Sequence, residues 1–181
     1  MPNRPLFLLP ALAVCISLGA AAQTSRPSPT RTQAADLQSI ALDNSGCYGR
    51  CPSYSIELRS DGTVVFNGRA FTEKTGEHRK KINPALFQSI ATRAAAMNLR
   101  YMDGNFGPGS ASCPISRTDA NGGHISAQYK GEKEPNHVNW YSGCFYTENT
   151  NLKPVYELAT AIAKAANVDD WIRKPEPVKF P

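Results

Sequence analysis

The chain has 181 residues, of which 41% are hydrophobic and 19% are charged, and its formal net charge is +5. This balance excludes a disordered or fibrous protein and fits one globular domain of ordinary size. The positive excess is too small for the basic surface of a nucleic-acid-binding protein, so we expect no nucleic-acid partner.

The N-terminal segment has the features of a secretory signal peptide. Arg4 precedes an uncharged apolar run over residues 6–22, and the run ends in an Ala-x-Ala cleavage site at Ala22. An uncleaved membrane anchor is the alternative, but Pro10 and Gly19 interrupt the run and disfavour a spanning helix. We therefore expect a periplasmic or secreted protein with no membrane span after cleavage.

Two further segments flank the predicted domain. Residues 23–36 are rich in Ser, Thr and Pro, which predicts a flexible linker. Residues 173–181 contain three prolines, which predicts a Pro-rich tail that cannot hold a helix. Residues 37–172 between them are predicted to form a single domain.

A β-hairpin is predicted near the start of this domain. Apolar residues alternate with polar ones on both sides of an Asp-Gly turn signal: Tyr54, Ile56, Leu58, Val64 and Phe66. A two-residue turn would divide them between the two faces of the hairpin. A three-residue loop over residues 60–62 instead places Leu58 opposite Val64 and Ile56 opposite Phe66. We therefore predict the three-residue loop, which gives one continuous apolar face.

Periodicity and turn residues predict the other elements. In chain order they are a charged edge strand over residues 75–82, a helix capped by Asn83 that runs to residue 99, a loop over residues 103–114, a second hairpin of residues 116–121 and 124–130 around Gly122 and Gly123, a strand over residues 138–142, and a helix over residues 153–166. This order predicts an α+β fold, a small antiparallel sheet with two helices packed on one face.

Cysteine usage predicts disulfides. Cys15 lies in the signal peptide, so four cysteines remain after cleavage: Cys47, Cys51, Cys113 and Cys144. An even number in an oxidising compartment predicts two disulfides, with three possible pairings. A thioredoxin-type redox pair has two intervening residues and a helix start, whereas Cys47 and Cys51 have three intervening residues and are followed by Pro52 and a strand. The pattern therefore favours a structural bond over exchangeable thiols.

The three histidines, His78, His124 and His137, lie in no recognisable catalytic motif. A zinc site is disfavoured because Cys113 and Cys144 lie too far apart for the usual ligand spacing. The sequence therefore predicts no catalytic residue, no metal site and no cofactor.

Two surface features each allow two interpretations. Arg79, Lys80 and Lys81 form a basic run that either binds a partner or prevents the edge strand from pairing with other chains. Four aromatic residues around Cys144 either contact a glycan or protein or pack around a disulfide: Trp140, Tyr141, Phe145 and Tyr146.

One block of the sequence resembles a family of exported bacterial domains of unknown function. The shared residues lie within residues 40–101 and include Cys47, Gly49, Cys51, Pro52, Tyr54, Asp61, Gly62, Thr63 and Val64. The resemblance implies an exported bacterial protein without assigned catalytic residues. Because Cys113 and Cys144 lie outside the shared pattern, it also implies that each pair closes on itself, Cys47 with Cys51 and Cys113 with Cys144.

These observations favour an exported, disulfide-stabilised binding or interaction module without catalytic activity, whose partner is an envelope protein or a glycan. Two alternatives stay open. One is an envelope thiol-disulfide enzyme that uses Cys47 and Cys51, and the other is an envelope hydrolase with an unrecognised site.

We predict that signal peptidase cleaves after Ala22, so intact mass spectrometry of the exported protein should show a chain that begins at Gln23. Ala22→Arg should block cleavage, because the site needs a small residue there, and the precursor should accumulate. An exported wild-type protein that retains Met1 would contradict the prediction.

Overall fold

The structure is a computed structural model that describes residues 28–102, 104–145 and 152–172. Its elements in chain order are α1 (Pro29–Asp36), β1 (Leu37–Gly46), β2 (Ser53–Arg59), β3 (Thr63–Ala70), β4 (Gly76–Lys81), α2 (Pro84–Ala96), β5 (Gly122–Tyr129), β6 (Asn136–Tyr141) and α3 (Leu152–Ala165). The strands form one antiparallel sheet in the order β4-β3-β2-β1-β5-β6, which confirms the predicted α+β class. The predicted signal peptide and Pro-rich tail lie outside the described residues.

The core lies between one face of the sheet and the helices. Alternate side chains of the central strands are buried, among them Ile40 on β1 and Ile56 on β2. α3 packs across β1, β2 and β6, and α2 lies beside α3. The opposite face, called the open face below, carries small or polar residues such as Ala41, Ser55 and Ser126, which are only partly buried. No helix in the described ranges is long and apolar enough to cross a membrane.

The structure confirms the predicted register of the β2–β3 hairpin. Leu58 pairs with Val64 and Ile56 pairs with Phe66, and all four side chains are fully buried. Gly62 ends the loop with φ +79°, and a Cβ at this position would lie 2.5 Å from the Ile82 carbonyl oxygen. Glycine is therefore required there both by the backbone conformation and by the close approach of the next segment.

Both predicted helices are present, and α2 begins where its capping residue predicts. Asn83 caps α2 by accepting a hydrogen bond from the Ala85 amide at 2.9 Å, and α2 ends at Ala96 rather than at residue 99. α3 buries Val155, Leu158 and Ile162 on one side, as the helical spacing predicts.

The second predicted hairpin is wrong. Residues 116–121 form no strand, and Gly122 and Gly123 are the first two residues of β5, which pairs with β1 and β6. A Cβ on Gly123 would lie 1.8 Å from the Asp43 carbonyl oxygen. The glycines therefore allow close approach of neighbouring strands, and they do not form a turn.

A helix also occupies part of the predicted linker. α1 is capped by Ser28 and begins with Pro29, and it packs against α2. Asp36 at its end accepts a hydrogen bond from Arg100 at 3.2 Å. Arg100 also binds Glu132 at 2.6 Å, so this ion-pair group connects α1 to the segment after β5. A flexible linker over residues 23–36 is therefore wrong from Pro29 onward.

Leu58→Ala should lower the free energy of unfolding by about 2 to 5 kcal/mol, because it opens a cavity in a fully buried part of the core. Val65→Ala is the matched control, since Val65 lies on the open face of the neighbouring strand. Urea unfolding should show a change of less than about 1 kcal/mol for the control. Equal effects of the two substitutions would contradict the one-sided core.

Candidate functional site

Both disulfides lie at the same end of the sheet. β1 and β6 are each antiparallel to β5, so they run in the same direction and finish at the same end. Cys47 follows β1 directly, and Cys144 follows β6 after two residues of a turn. We call this the disulfide end. The segment between β3 and β4 also lies here, because β3 finishes where β2 begins.

The Cys47–Cys51 bond closes the short loop that connects β1 to β2. Its Cα atoms are 5.4 Å apart, and both cysteines are partly exposed. Tyr48 projects from the loop with 88% of its surface exposed. Pro52 and the first residue of β2 follow the bond, so the chain after these cysteines enters a strand, whereas the chain after a thioredoxin-type pair enters a helix. This geometry favours a structural role for the bond.

The Cys113–Cys144 bond anchors a long irregular segment to the end of β6. Its Cα atoms are 5.3 Å apart, and both cysteines are buried. Backbone hydrogen bonds support it: the Phe145 amide donates to the Ile115 carbonyl at 3.0 Å, and the Arg117 amide donates to the Gly143 carbonyl at 2.9 Å. The bond therefore fixes the position of a segment that has no strand of its own beyond the single Ser116 bridge.

Large apolar side chains are exposed along the disulfide end. They are Tyr48 at 88%, Phe71 at 52%, Ile115 at 67% and Phe145 at 54%. Buried apolar residues stabilise a fold, whereas a group of exposed ones at one site is typical of an interaction surface. We call these four residues the apolar tips.

Both interpretations of the aromatic residues around Cys144 apply in part. Trp140 is buried, and the partly buried Tyr141 packs against the core and donates from its hydroxyl to the Arg117 carbonyl at 3.0 Å, so both rings have partners within the fold. Phe145 is exposed and belongs to the apolar tips. Tyr146 lies outside the described residues.

Arg69 connects three strands below the Cys47–Cys51 loop, and sequence reasoning missed it. Its guanidinium donates to the Asp43 carboxylate at 2.6 and 3.0 Å and to the Ser53 hydroxyl at 3.0 Å. It also donates to the carbonyls of Asn44 at 2.9 Å and Tyr54 at 3.1 Å. Only the pairing of the strands brings these partners together. Burial raises the pKa of the neighbouring Tyr54 phenol, so this ring is neutral at physiological pH.

The basic run on β4 is paired within the fold. Lys80 lies 4.0 Å from the centre of the Trp171 ring, and Lys81 donates to the Asp61 carboxylate at 2.9 Å. The Lys81 ammonium, together with the Thr63 amide and hydroxyl, holds the pKa of the Asp61 carboxyl well below its usual range. Because these lysines have intramolecular partners, the structure favours the edge-protection interpretation of this run.

The histidines do not line the cavity that opens beside the end of α2. His124 and His137 lie on the open face, and His78 lies on β4 with its Nε2 3.0 Å from the Thr75 carbonyl. A cavity of about 500 Å³ opens elsewhere, beside the end of α2, and its lining includes Met97, Met102, Phe106 and Ser110. Among the residues that the structure describes, no three His, Cys, Asp or Glu side chains converge as metal ligands. The hydrolase alternative therefore gains no support from the geometry.

Loss of the Cys113–Cys144 bond should destabilise the fold more than loss of the Cys47–Cys51 bond. The sequence separations are 31 and 4 residues, for which loop-closure entropy gives about 4 and about 2 kcal/mol. Urea unfolding of Cys113→Ala/Cys144→Ala and Cys47→Ala/Cys51→Ala measures both. A larger loss of unfolding free energy for the Cys47→Ala/Cys51→Ala variant would contradict the prediction that the Cys113–Cys144 bond stabilises the fold more.

Comparison with known proteins agrees with the resemblance to a family of domains of unknown function. No curated protein matches the chain. Residues 38–163 match the family described as Domain of unknown function (DUF6438), and the match begins in β1 and ends in α3. Because this match covers more than half of the sequence and every strand of the sheet, the chain belongs to the DUF6438 family.

Proposed function

We propose that the chain is an exported, disulfide-stabilised binding module without catalytic activity, and that its disulfide end docks on a protein partner in the periplasm or outside the cell. The signal peptide of residues 1–22 would direct export, and the domain of residues 37–172 would bind the partner. Two disulfides suit an oxidising compartment.

Phe71 is the observation that carries this proposal. It has φ +54°, a left-handed conformation that is unfavourable for a bulky residue, and 52% of the residue's surface is exposed. The surrounding backbone holds this conformation, because Thr72 pairs with Ile172 and the Lys74 amide donates to the Trp171 carbonyl at 3.1 Å. A strained residue whose side chain adds little to the core is typical of a functional position.

The spread of the apolar tips favours a protein over a small ligand. Phe71 follows β3, and Phe145 lies just beyond β6. Four strand spacings separate β3 from β6 in the sheet, which corresponds to about 19 Å. A single sugar or small molecule contacts a much smaller area, whereas a protein interface of standard size covers about 800 Å² on each partner.

Charged side chains next to the tips fit the edge of such an interface. Arg50 lies in the same loop as Tyr48, and Arg117 lies two residues after Ile115; both are exposed. Arginine is enriched at protein interfaces together with aromatic residues. The apolar tips would thus form the centre of the contact, and the arginines would favour an acidic or carbonyl-rich surface on the partner.

Photo-crosslinking in cells tests the location of this interface. A photoreactive phenylalanine in place of Tyr48 should capture one discrete protein partner. The matched control replaces Leu86, an exposed apolar residue of α2 that lies at the opposite end of the sheet, near the loop of Gly62. Equal capture from both positions, or no protein adduct from position 48, would contradict the proposal.

Phe71→Gly tests the role of the strained residue. The substitution should change the free energy of unfolding by less than about 1 kcal/mol, because relief of strain offsets the greater flexibility of glycine in the unfolded chain. In the same variant, crosslinking from position 48 should fall at least fivefold. A variant that unfolds readily would show that Phe71 has a structural role. A stable variant that crosslinks as well as the parent would show that Phe71 does not contribute to binding.

A further inference from the structure

Two of the three histidines form a pair on the open face of the sheet. His124 lies on β5 and His137 lies on the neighbouring strand β6, where His124 is opposite Asn139 and His137 is opposite Ser126. Their ring centroids are 5.8 Å apart, with an interplanar angle of 69°. The two imidazoles are therefore diagonal neighbours across two paired strands, and solvent reaches both.

A hydrogen bond orients one of these rings. Nδ1 of His137 lies 2.9 Å from the Ser126 hydroxyl oxygen. When Nδ1–H donates to this hydroxyl, the lone pair of the ring is on Nε2. Metal-binding histidines commonly have such a hydrogen bond on the second ring nitrogen, because it fixes the tautomer and the orientation of the ring.

The charge around the pair does not oppose a cation. Asp43 on β1 lies opposite His124, and its carboxylate binds the Arg69 guanidinium. These two opposite charges neutralise each other. The Asp43 carboxylate is therefore not available as a metal ligand, and the paired Arg69 guanidinium repels a cation only weakly. His78 is far from this group in the sheet, because it lies on the edge strand β4.

We propose that His124 and His137 together bind a late first-row divalent ion, Cu²⁺ more tightly than Zn²⁺, through one imidazole nitrogen each. An ion about 2 Å from both nitrogens holds the two ring centroids about 5 Å apart in tetrahedral geometry and about 4.5 Å apart in the square-planar geometry that Cu²⁺ favours. Side-chain rotation must therefore shorten the centroid distance of 5.8 Å by about 1 Å when the ion binds. Imidazole suits these ions, and the affinity order follows the general stability series of divalent metals. Because no three such ligands converge in the described part of the chain, water completes the coordination.

Metal titration of the full chain without a polyhistidine tag tests this site. Cu²⁺ affinity is measured at pH 7.5 by competition with a chelator of known affinity, and the bound ion is examined by electron paramagnetic resonance. His124→Ala and His137→Ala should each raise the Kd at least tenfold. In each variant the spectrum should show hyperfine coupling to one imidazole nitrogen fewer than in the parent. Both variants should keep the melting temperature of the parent, since each ring lies on the open face.

His78→Ala is the matched control, because it removes a histidine that already binds the Thr75 carbonyl on another strand. It should leave the Kd and the spectrum unchanged. Zn²⁺ should compete for the same site at higher concentration. An equal loss of affinity in all three variants, or unchanged Cu²⁺ binding in the His124 and His137 variants, would overturn the proposal, since the ion would then bind elsewhere on the chain.

Discussion

The pairing of β1 with both β2 and β5 is the interaction on which the rest of the structure depends. On one side of β1 the chain forms the β2-β3-β4 meander, and on the other side it adds β5 and β6. The contact with β5 is so close at Gly123 that a Cβ would lie 1.8 Å from the Asp43 carbonyl oxygen. Glycine at this position therefore allows the two halves of the sheet to join, because any side chain would force β1 and β5 apart.

This pairing also places the loops that carry the proposed function. β1 and β6 finish at the same end, so both disulfides lie there and fix segments that contribute little to the core. The helices cover one face of the sheet, whereas the apolar tips on these loops lie outside the core and are exposed. Because the disulfides restrict these loops, the proposed docking would lose less conformational entropy than docking by flexible loops.

Local patterns were sufficient where the interacting residues are close in the chain. The β2–β3 hairpin could be predicted because only one register puts Leu58 and Phe66 on the same face. A turn was predicted at Gly122 and Gly123 because a Gly-Gly pair is a usual turn signal. The reason for glycine at position 123 is the close approach of β1, and the residues around Gly123 do not reveal that contact. β1 was missed because Ile40 and Leu42 are too few apolar positions to identify a central strand.

Local sequence patterns are sufficient to predict the alternation of the β2–β3 hairpin, the capped start of α2, the α+β class and two disulfides among Cys47, Cys51, Cys113 and Cys144. The partners of β1, the position of α1, the contacts of Arg69 and the proximity of His124 to His137 depend on how distant segments pack together. Arg69 and Asp43 are 26 residues apart, and their contact exists only because β1, β2 and β3 align in one register. A shift by one residue would turn each side chain to the other face, so such contacts follow from the assembled sheet and from no local sequence pattern.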